Sequence, residues 1–340
     1  MLNVFKIIAA YRAANRVLDT EDSVTDALLA HFQPPELQQK HCTFDSIYVF
    51  GDSLSDIGNT FDLTQEALGQ GLPPAPPYFR GRFSNGPVWV EYLARLLKLS
   101  SEDHINFAVS GATTGRTNIF IPNNPANLLG LQQQLDSFTA SFKATEQQAN
   151  AKALYTIWAG ANDYLNSNLD NSPANPPANP QINLQANSMT PVENLANGVK
   201  ALADVGAKQI MVANLPDLGD FPGLSRDSQR TANLNTLTQA HNSGLATALQ
   251  ALSQSVEPDV NIISFDVNSL FKQVVAEPSR FGFTDVINTE LDQLAQFQGY
   301  TDTFFFWDII HPTTTAHLIL AKAAFSLLSP TTRLTERLTG

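Results

Sequence analysis

Five short apolar runs, each ended by turn-forming residues, divide the chain from residue 45 onward. Their β-branched and aromatic residues do not alternate with polar residues, which is typical of parallel strands that are covered on both faces. The pattern therefore predicts five buried parallel strands. The runs are residues 47–50, 105–109, 154–159, 209–213 and 261–265.

Segments with the apolar spacing of helices lie between and after these runs. An alternation of strands and helices implies right-handed crossovers and a doubly wound sheet. We predict an α/β fold, a three-layer α/β/α sandwich with a central five-stranded parallel sheet. The expected helices include residues 88–99, 128–142, 191–205, 226–253 and 313–328.

Two further segments do not belong to this alternation of strands and helices. Residues 1–41 carry apolar positions near helical spacing and predict an N-terminal helical extension, which we expect to serve packing or a homo-oligomer. Residues 42–340 are then the main domain. Residues 166–191 are rich in asparagine and proline and predict a long exposed loop, either a surface insertion or a rim over a site.

Composition narrows the classes of function. A chain of 340 residues with 43% hydrophobic and 15% charged residues can bury a large core without disulfides or metal. The net charge of −12 argues against nucleic acid and against an anionic membrane surface as partners. The single cysteine, Cys42, excludes an intramolecular disulfide and a cysteine-based metal site.

The sequence carries no clear targeting or membrane signal. No stretch approaches the ~20 apolar residues of a membrane span, so we expect no transmembrane segment. The apolar run near the N-terminus is interrupted by Lys6 and lacks a small-residue cleavage site. We therefore expect a cytoplasmic protein rather than a secreted one.

Polar loops follow four of the predicted strands. In open α/β sheets the ligand site lies beyond the carboxyl ends of the strands, so chemistry is expected in these loops. We predict that all four converge on one edge of the sheet. They are residues 51–53, 110–112, 160–163 and 214–217.

Ser53, Asp308 and His311 suggest nucleophilic catalysis. A serine hydroxyl needs a base to remove its proton during attack, and imidazole is the usual base. Asp308, three positions before His311, can accept a hydrogen bond from the second ring nitrogen and stabilise the imidazolium. Because Pro312 is typical of a first helical position, we predict that His311 caps the following helix. Helix capping, a surface ion pair or metal ligation remain alternatives for the Asp308 and His311 pair.

Attack on an ester also requires donors aimed at the developing oxyanion. The candidates are the backbone N–H groups of Ser53 and Gly111 and the side-chain amide of Asn162. Gly111 is expected to need close backbone approach or a positive φ. Each residue alone is an ordinary turn residue, but the four features in this order favour a hydrolase. Asp52 and Asp163 are expected to orient loops, and the other histidines are poorer candidates.

On these residues the sequence resembles the GDSL family of lipases and esterases, the SGNH hydrolases, from about residue 45 to about residue 328. The resemblance implies a flavodoxin-like fold, Ser53 as nucleophile, His311 as base and Asp308 as its orienter. It also implies an oxyanion hole of Ser53, Gly111 and Asn162 and no cofactor. The motifs that carry it are Gly51-Asp-Ser-Leu54, residues 106–115, Gly160-Ala-Asn-Asp163, Asp308 with His311, and residues 80–91 and 240–245, which resemble the larger bacterial and plant-like branch.

The expected activity is that of a serine esterase or lipase that acts on a small-molecule acyl ester or a lipid. An acyltransferase, or a carbohydrate or lipid deacetylase, could use the same site. A non-catalytic ligand-binding module on the same fold is a further alternative. Ser110 stands where relatives often carry another glycine, which bears on the width of the acyl pocket.

Overall fold

The structure is a computed structural model that describes residues 44–145, 147–165, 180–225, 228–294 and 303–328. The predicted helical extension, residues 1–41, lies outside the described residues. Residues 166–179 of the predicted loop lie outside them as well.

A five-stranded parallel sheet forms the centre of the fold, in the strand order β2-β1-β3-β4-β5. All five predicted strands are confirmed. The second is shorter than its apolar run, because beyond Asn106 the chain keeps only isolated hydrogen bonds to β1, such as Val109 N to Gly51 O at 3.1 Å. The strands are β1 (Ile47–Gly51), β2 (His104–Asn106), β3 (Leu154–Trp158), β4 (Gln209–Ala213) and β5 (Asn261–Phe265).

Helices cover both faces of this sheet. On one face, Ile47 and Val49 pack into a core with α2, α7 and α9; on the other, Phe50 and Ile157 pack with α3, α5 and the second half of α6. The predicted three-layer α/β/α sandwich is therefore confirmed. The helices are α1 (Asn59–Leu68), α2 (Trp89–Leu96), α3 (Leu131–Thr145), α4 (Ala161–Leu165), α5 (Pro180–Asp204), α6 (Ser228–Ser255), α7 (Val267–Ala276), α8 (Glu290–Gln293) and α9 (Thr314–Leu327).

Helix α5 corrects one boundary. It begins at Pro180, so residues 180–191 are helix and not exposed loop, and Pro191 lies inside it. The sequence pattern placed Pro191 at a helix start because proline removes a backbone donor from a helix interior. Packing offsets this cost, since Val192 beside it is buried and faces Gly244 of α6.

A second, two-stranded parallel sheet was not predicted from the sequence. It pairs β6 (Asp285–Thr289) with β7 (Phe304–Phe306), and the three phenylalanines of β7 are buried, as expected of core residues. After β7 the chain reverses, with Trp307 N donating to His311 O at 2.8 Å. This turn carries both Asp308 and His311. In the part of the chain that the structure describes, no helix is long and apolar enough to cross a membrane.

Candidate active site

The turn after β1 presents Ser53. At Gly51 a Cβ atom would lie 2.4 Å from the Trp158 carbonyl oxygen, so only glycine lets the end of β1 lie this close to β3. The buried amide of Gln134 holds the same residue, accepting from Gly51 N and donating to Gly51 O, each at 2.9 Å. The strand end that carries Ser53 is thus fixed from two sides.

The structure brings Ser53, His311 and Asp308 together. Ser53 Oγ lies 2.9 Å from His311 Nε2, and His311 Nδ1 lies 2.7 Å from Asp308 Oδ2. The other carboxylate oxygen, Oδ1, accepts the backbone N–H groups of Ile310 at 2.9 Å and His311 at 2.8 Å. The result is a continuous hydrogen-bonded path from the serine hydroxyl to a carboxylate.

Asp308 is charged in this environment. Burial alone would raise the pKa of its carboxyl, but the facing His311, the backbone N–H groups and the Tyr78 hydroxyl together hold that pKa below its usual value. The carboxylate can therefore orient the imidazole and stabilise a positive charge on it.

Tyr78 is a site residue that the sequence reasoning missed. Its hydroxyl donates to Asp308 Oδ2 at 2.8 Å across a separation of 230 residues. The sequence gives no sign of this contact, because no local spacing relates Tyr78 to Asp308.

The helix after His311 begins later than predicted. Thr313, not His311, is the N-cap of α9, and its side chain accepts from Ala316 N at 3.4 Å. The prediction that His311 caps this helix is therefore wrong, since threonine is a preferred cap and histidine is not. Residues of the segment 80–91 hold the connection: Asn85 Oδ1 accepts from Thr314 N at 2.7 Å, and Ser84 Oγ donates to the Pro312 carbonyl at 3.0 Å.

The three candidate oxyanion donors follow three neighbouring strands, β2, β1 and β3. Gly111 has a φ of +78°, and an added Cβ would lie 2.5 Å from Phe120 Cβ, as the expectation of positive φ and close approach required. Asn162 is buried; its amide donates to the Ala112 carbonyl at 3.0 Å and lies 3.4 Å from Asp52 Oδ2. Among the described residues, the N–H groups of Ser53 and Gly111 have no hydrogen-bond acceptor.

Comparison with known proteins agrees with this geometry. The family described as GDSL-like Lipase/Acylhydrolase matches residues 47–324, well over half of the chain. The chain belongs to this family.

Its curated relatives include bacterial and plant proteins. It is 27% identical to the thermolabile hemolysin of Vibrio parahaemolyticus, over 82% of this chain and 62% of that protein. It is 31% identical to the phosphatidylcholine-sterol acyltransferase of Aeromonas hydrophila, over 72% of this chain and 65% of that protein. A GDSL esterase/lipase of Arabidopsis thaliana is 26% identical, over 83% of this chain and 81% of the relative. The chain thus spans less than two thirds of the length of the first two.

Ser110, the departure from the common GDSL pattern, turns toward the loop after β1. Its hydroxyl donates to Asp56 Oδ2 at 2.8 Å, and its N–H donates to the same oxygen at 3.0 Å. Asp56 Oδ1 also accepts the N–H groups of Gly58 and Asn59, and so holds the turn that follows Ser53. The hydroxyl of Ser110 therefore ties two loops of this GDSL protein together.

Two buried carboxyl groups lie beneath the candidate oxyanion donors. Burial raises the pKa of Asp52 to about 7, against the effect of the hydrogen bond from Leu54 N. Burial likewise raises the pKa of Asp163 to about 6, although this side chain accepts two hydrogen bonds from Thr114, at 2.8 and 2.7 Å. These contacts support the expectation that both residues orient loops.

The fourth polar loop leaves the same edge of the sheet as the other three, as predicted, because β4 runs parallel to β3. Within this loop, Asn214 is bound to the start of α7. Its side-chain nitrogen donates to Asp266 Oδ1 at 2.8 Å and its side-chain oxygen accepts from Asn268 N at 2.9 Å.

His241 and His317 have no described contact with Ser53. His241 Nδ1 lies 2.7 Å from the Tyr164 hydroxyl, and burial lowers the pKa of His241 to about 4. Burial also lowers the pKa of His317, on α9, to about 3. Both imidazoles are therefore neutral near pH 7. His31 and His41 lie outside the described residues.

A cavity of about 270 Å³ opens beside the Asp308 and His311 turn. The ring of Phe83, with its centroid 4.8 Å from that of His311, packs on the imidazole. Trp307 is fully buried beside Leu294 and belongs to the core. The cavity is lined by Tyr78, Thr289, Leu291, Asp292, Asp308, Ile309, Ile310 and His311.

Proposed function

We propose that this GDSL-family protein is a serine esterase or lipase that hydrolyses carboxylic esters through an acyl-enzyme on Ser53. The observation that carries the proposal is the unbroken path from Ser53 Oγ through both nitrogens of His311 to Asp308, with contacts of 2.9 and 2.7 Å. Such a path is what a serine needs to lose its proton as it attacks.

In the proposed reaction Ser53 Oγ attacks the ester carbonyl while its proton passes to His311 Nε2. The tetrahedral intermediate collapses, the carbon–oxygen bond to the alcohol breaks, and the alcohol leaves with the proton from Nε2. Water, activated by the same nitrogen, then attacks the acyl-enzyme and releases the acid. Asp308 remains a carboxylate throughout and stabilises the imidazolium.

The proposed oxyanion hole consists of Ser53 N–H, Gly111 N–H and the Asn162 amide. The first two N–H groups have no acceptor among the described residues, so they are available to a ligand oxygen. Of the two contacts of Asn162, the one to Asp52 at 3.4 Å is the longer and weaker. In the proposed oxyanion hole the planar amide reorients as a whole and exchanges this weaker contact for one to the oxyanion.

The proposed substrate class rests on charge. A net charge of −12 disfavours anionic esters. We propose a neutral or cationic acyl ester, either a small molecule or a lipid. A cytoplasmic location and a homo-oligomer formed through residues 1–41 are likewise proposals.

The test is the initial rate of hydrolysis of p-nitrophenyl esters from acetyl to palmitoyl, with wild type beside Ser53→Ala. We expect turnover to fall by up to ~10⁶ in the variant, because the serine, histidine and aspartate act as a unit. Ser137→Ala is the matched control, since this serine is exposed on α3 and donates only to the Gln133 carbonyl. Near-normal hydrolysis by Ser53→Ala would sink the assignment.

Acyl transfer to an alcohol is the second candidate, favoured by the similarity to the Aeromonas hydrophila acyltransferase. In the presence of an alcohol, a transferase forms new ester faster than free acid, and product analysis separates the two. A non-catalytic binding module would leave Ser53 unlabelled by an organophosphonate probe, whereas both enzymatic proposals require labelling.

A further inference from the structure

The hydroxyl of Tyr78 binds the carboxylate that faces His311. It donates to Asp308 Oδ2 at 2.8 Å, and the same oxygen lies 2.7 Å from His311 Nδ1. One carboxylate oxygen thus receives the imidazole from one side and a phenol from the other.

The ring of Tyr78 is held in place by its neighbours. It packs edge-on against Trp307, with centroids 5.9 Å apart, and against Phe83, with centroids 5.8 Å apart. Its backbone N–H donates to the Pro74 carbonyl at 3.2 Å. Phe83 also contacts the ring of His311, so the phenol and the imidazole pack against the same aromatic side chain.

The phenol is a hydrogen-bond donor at neutral pH. Burial raises the pKa of Tyr78 far above its ordinary value, and the negative charges of Asp308 and Asp292 act in the same direction. Tyr78 therefore keeps the proton that it donates to Asp308.

We propose that Tyr78 is a positioning residue of the Ser53, His311 and Asp308 site. It fixes the rotation of the Asp308 carboxylate and draws part of its negative charge away from His311, so that the imidazole returns its proton readily to the leaving alcohol. The inference rests on the proposed function. Tyr78 acts through Asp308, the residue to which its hydroxyl donates.

The charged and titratable groups around this contact are few. Asp308 and Asp52 interact with His311, His317 interacts with it from α9, and Asp292 interacts with Tyr78. Replacing the phenol by phenylalanine alters only the contact to Asp308 and keeps the ring that packs on Trp307.

The test is the pH profile of kcat/KM for Tyr78→Phe with a p-nitrophenyl ester. Loss of a hydrogen bond to a charged group should lower kcat/KM by about tenfold at neutral pH. The acidic limb of the profile should move to higher pH, because a carboxylate without its phenol donor stabilises the protonated imidazole more strongly.

Tyr155→Phe is the matched control. This tyrosine is also buried and donates to a backbone carbonyl, that of Asn150 at 3.0 Å. It lies near the amino end of β3, whereas Ser53 follows the carboxyl end of β1. It should keep both the rate and the acidic limb of wild type. A purely structural role for Tyr78 would lower activity equally at all pH values and leave the limb in place, which would overturn the proposal.

A fluorinated tyrosine incorporated at position 78 gives a second readout that preserves shape and folding. Its more acidic phenol is a stronger donor, so the acidic limb should move to lower pH, opposite to Tyr78→Phe. An unmoved limb would contradict the inference. If wild type hydrolyses esters and Ser53→Ala does not, yet both Tyr78 substitutions behave like wild type, the inference fails and the proposed function stands. If wild type hydrolyses no ester, the proposed function itself fails.

Discussion

Small residues and amides set the geometry around Ser53. Gly51 allows the end of β1 to lie against the Trp158 carbonyl, and Gly111 adopts a φ that side chains rarely take. The amide of Asn59 donates to the carbonyls of Asn106 at 3.0 Å and Ala108 at 2.9 Å, which joins the loops after β1 and β2. Close backbone approach, rather than bulky packing, therefore fixes the candidate donors.

Gly111→Ala should abolish ester hydrolysis and lower the free energy of unfolding by about 1–3 kcal/mol, from the strained φ together with the clash. The added methyl would lie 2.5 Å from Phe120 Cβ and 2.6 Å from Phe120 N. The measurements are urea unfolding and the rate with p-nitrophenyl acetate.

Gly69→Ala separates strain from clash. Gly69 has a similar φ of +70°, at the end of α1, but nothing lies within 4 Å of the added Cβ. We expect a cost of about 1 kcal/mol and unchanged activity. Equal losses of activity in the two variants would show that the effect at Gly111 comes from general destabilisation and not from its place in the site.

At the scale of elements, an ion pair and hydrogen bonds of the segment 82–88 connect α2 to the turn that carries His311. Arg82 and Glu91 form a buried ion pair at 2.7 Å, and the second oxygen of Glu91 accepts from Val88 N at 2.7 Å, at the start of α2. Asn85 and Ser84 then bind the chain on either side of Thr313. The motif between residues 80 and 91 thus holds in place the turn that carries Asp308 and His311.

Glu91→Ala should lower the free energy of unfolding by about 1–3 kcal/mol, because the mostly buried guanidinium of Arg82 loses the carboxylate while it keeps its hydrogen bond to the Arg80 carbonyl. Urea unfolding measures the loss. Glu277→Ala is the control, since its ion pair with Arg280 is exposed, with 60% of the Glu277 side chain and 70% of the Arg280 side chain accessible. That variant should lose at most about 1 kcal/mol. A comparable loss in both variants would show that the Arg82–Glu91 pair stabilises the fold no more than an exposed ion pair does.

At the scale of the whole molecule, an acidic protein keeps two carboxyl groups buried beside its site. The pKa values of Asp52, about 7, and Asp163, about 6, are raised by burial from an ordinary value of 3.8. Between pH 4 and pH 7 the folded protein therefore holds more protons on these groups than the unfolded chain does. Their contribution to stability is present in acid and is lost as pH rises through that window.

Asp52→Asn should consequently gain stability relative to wild type as the pH is raised from 5 to 8. The side-chain oxygen of asparagine can still accept from Leu54 N, as Asp52 does at 3.1 Å. Thermal unfolding of both proteins at the two pH values measures the difference in melting temperature. A difference that stays constant or shrinks with rising pH would show that Asp52 is not held protonated by the fold.

The sequence predicts most of this architecture, for physical reasons that differ from part to part. Uninterrupted β-branched runs identify the five strands, and their carboxyl ends locate Ser53, Gly111 and Asn162. Polar composition hides α1, whose ten residues include two buried threonines, Thr60 and Thr64, hydrogen-bonded within the turn. The contact of Tyr78 with Asp308 has no periodic or local signature. The start of α5 at Pro180 was missed because Pro191, which lies inside the helix, is typical of a helix start.

The hydrogen bond between Ser53 and His311 spans 258 positions of the chain. During synthesis the strand and turn that present Ser53 emerge early, whereas the imidazole emerges only after all five strands of the central sheet. A ribosome-bound nascent chain that stops short of His311 thus exposes a serine with no base beside it. Under the proposed mechanism, an ester cannot efficiently acylate Ser53 of such a chain, because no imidazole is present to accept the serine proton.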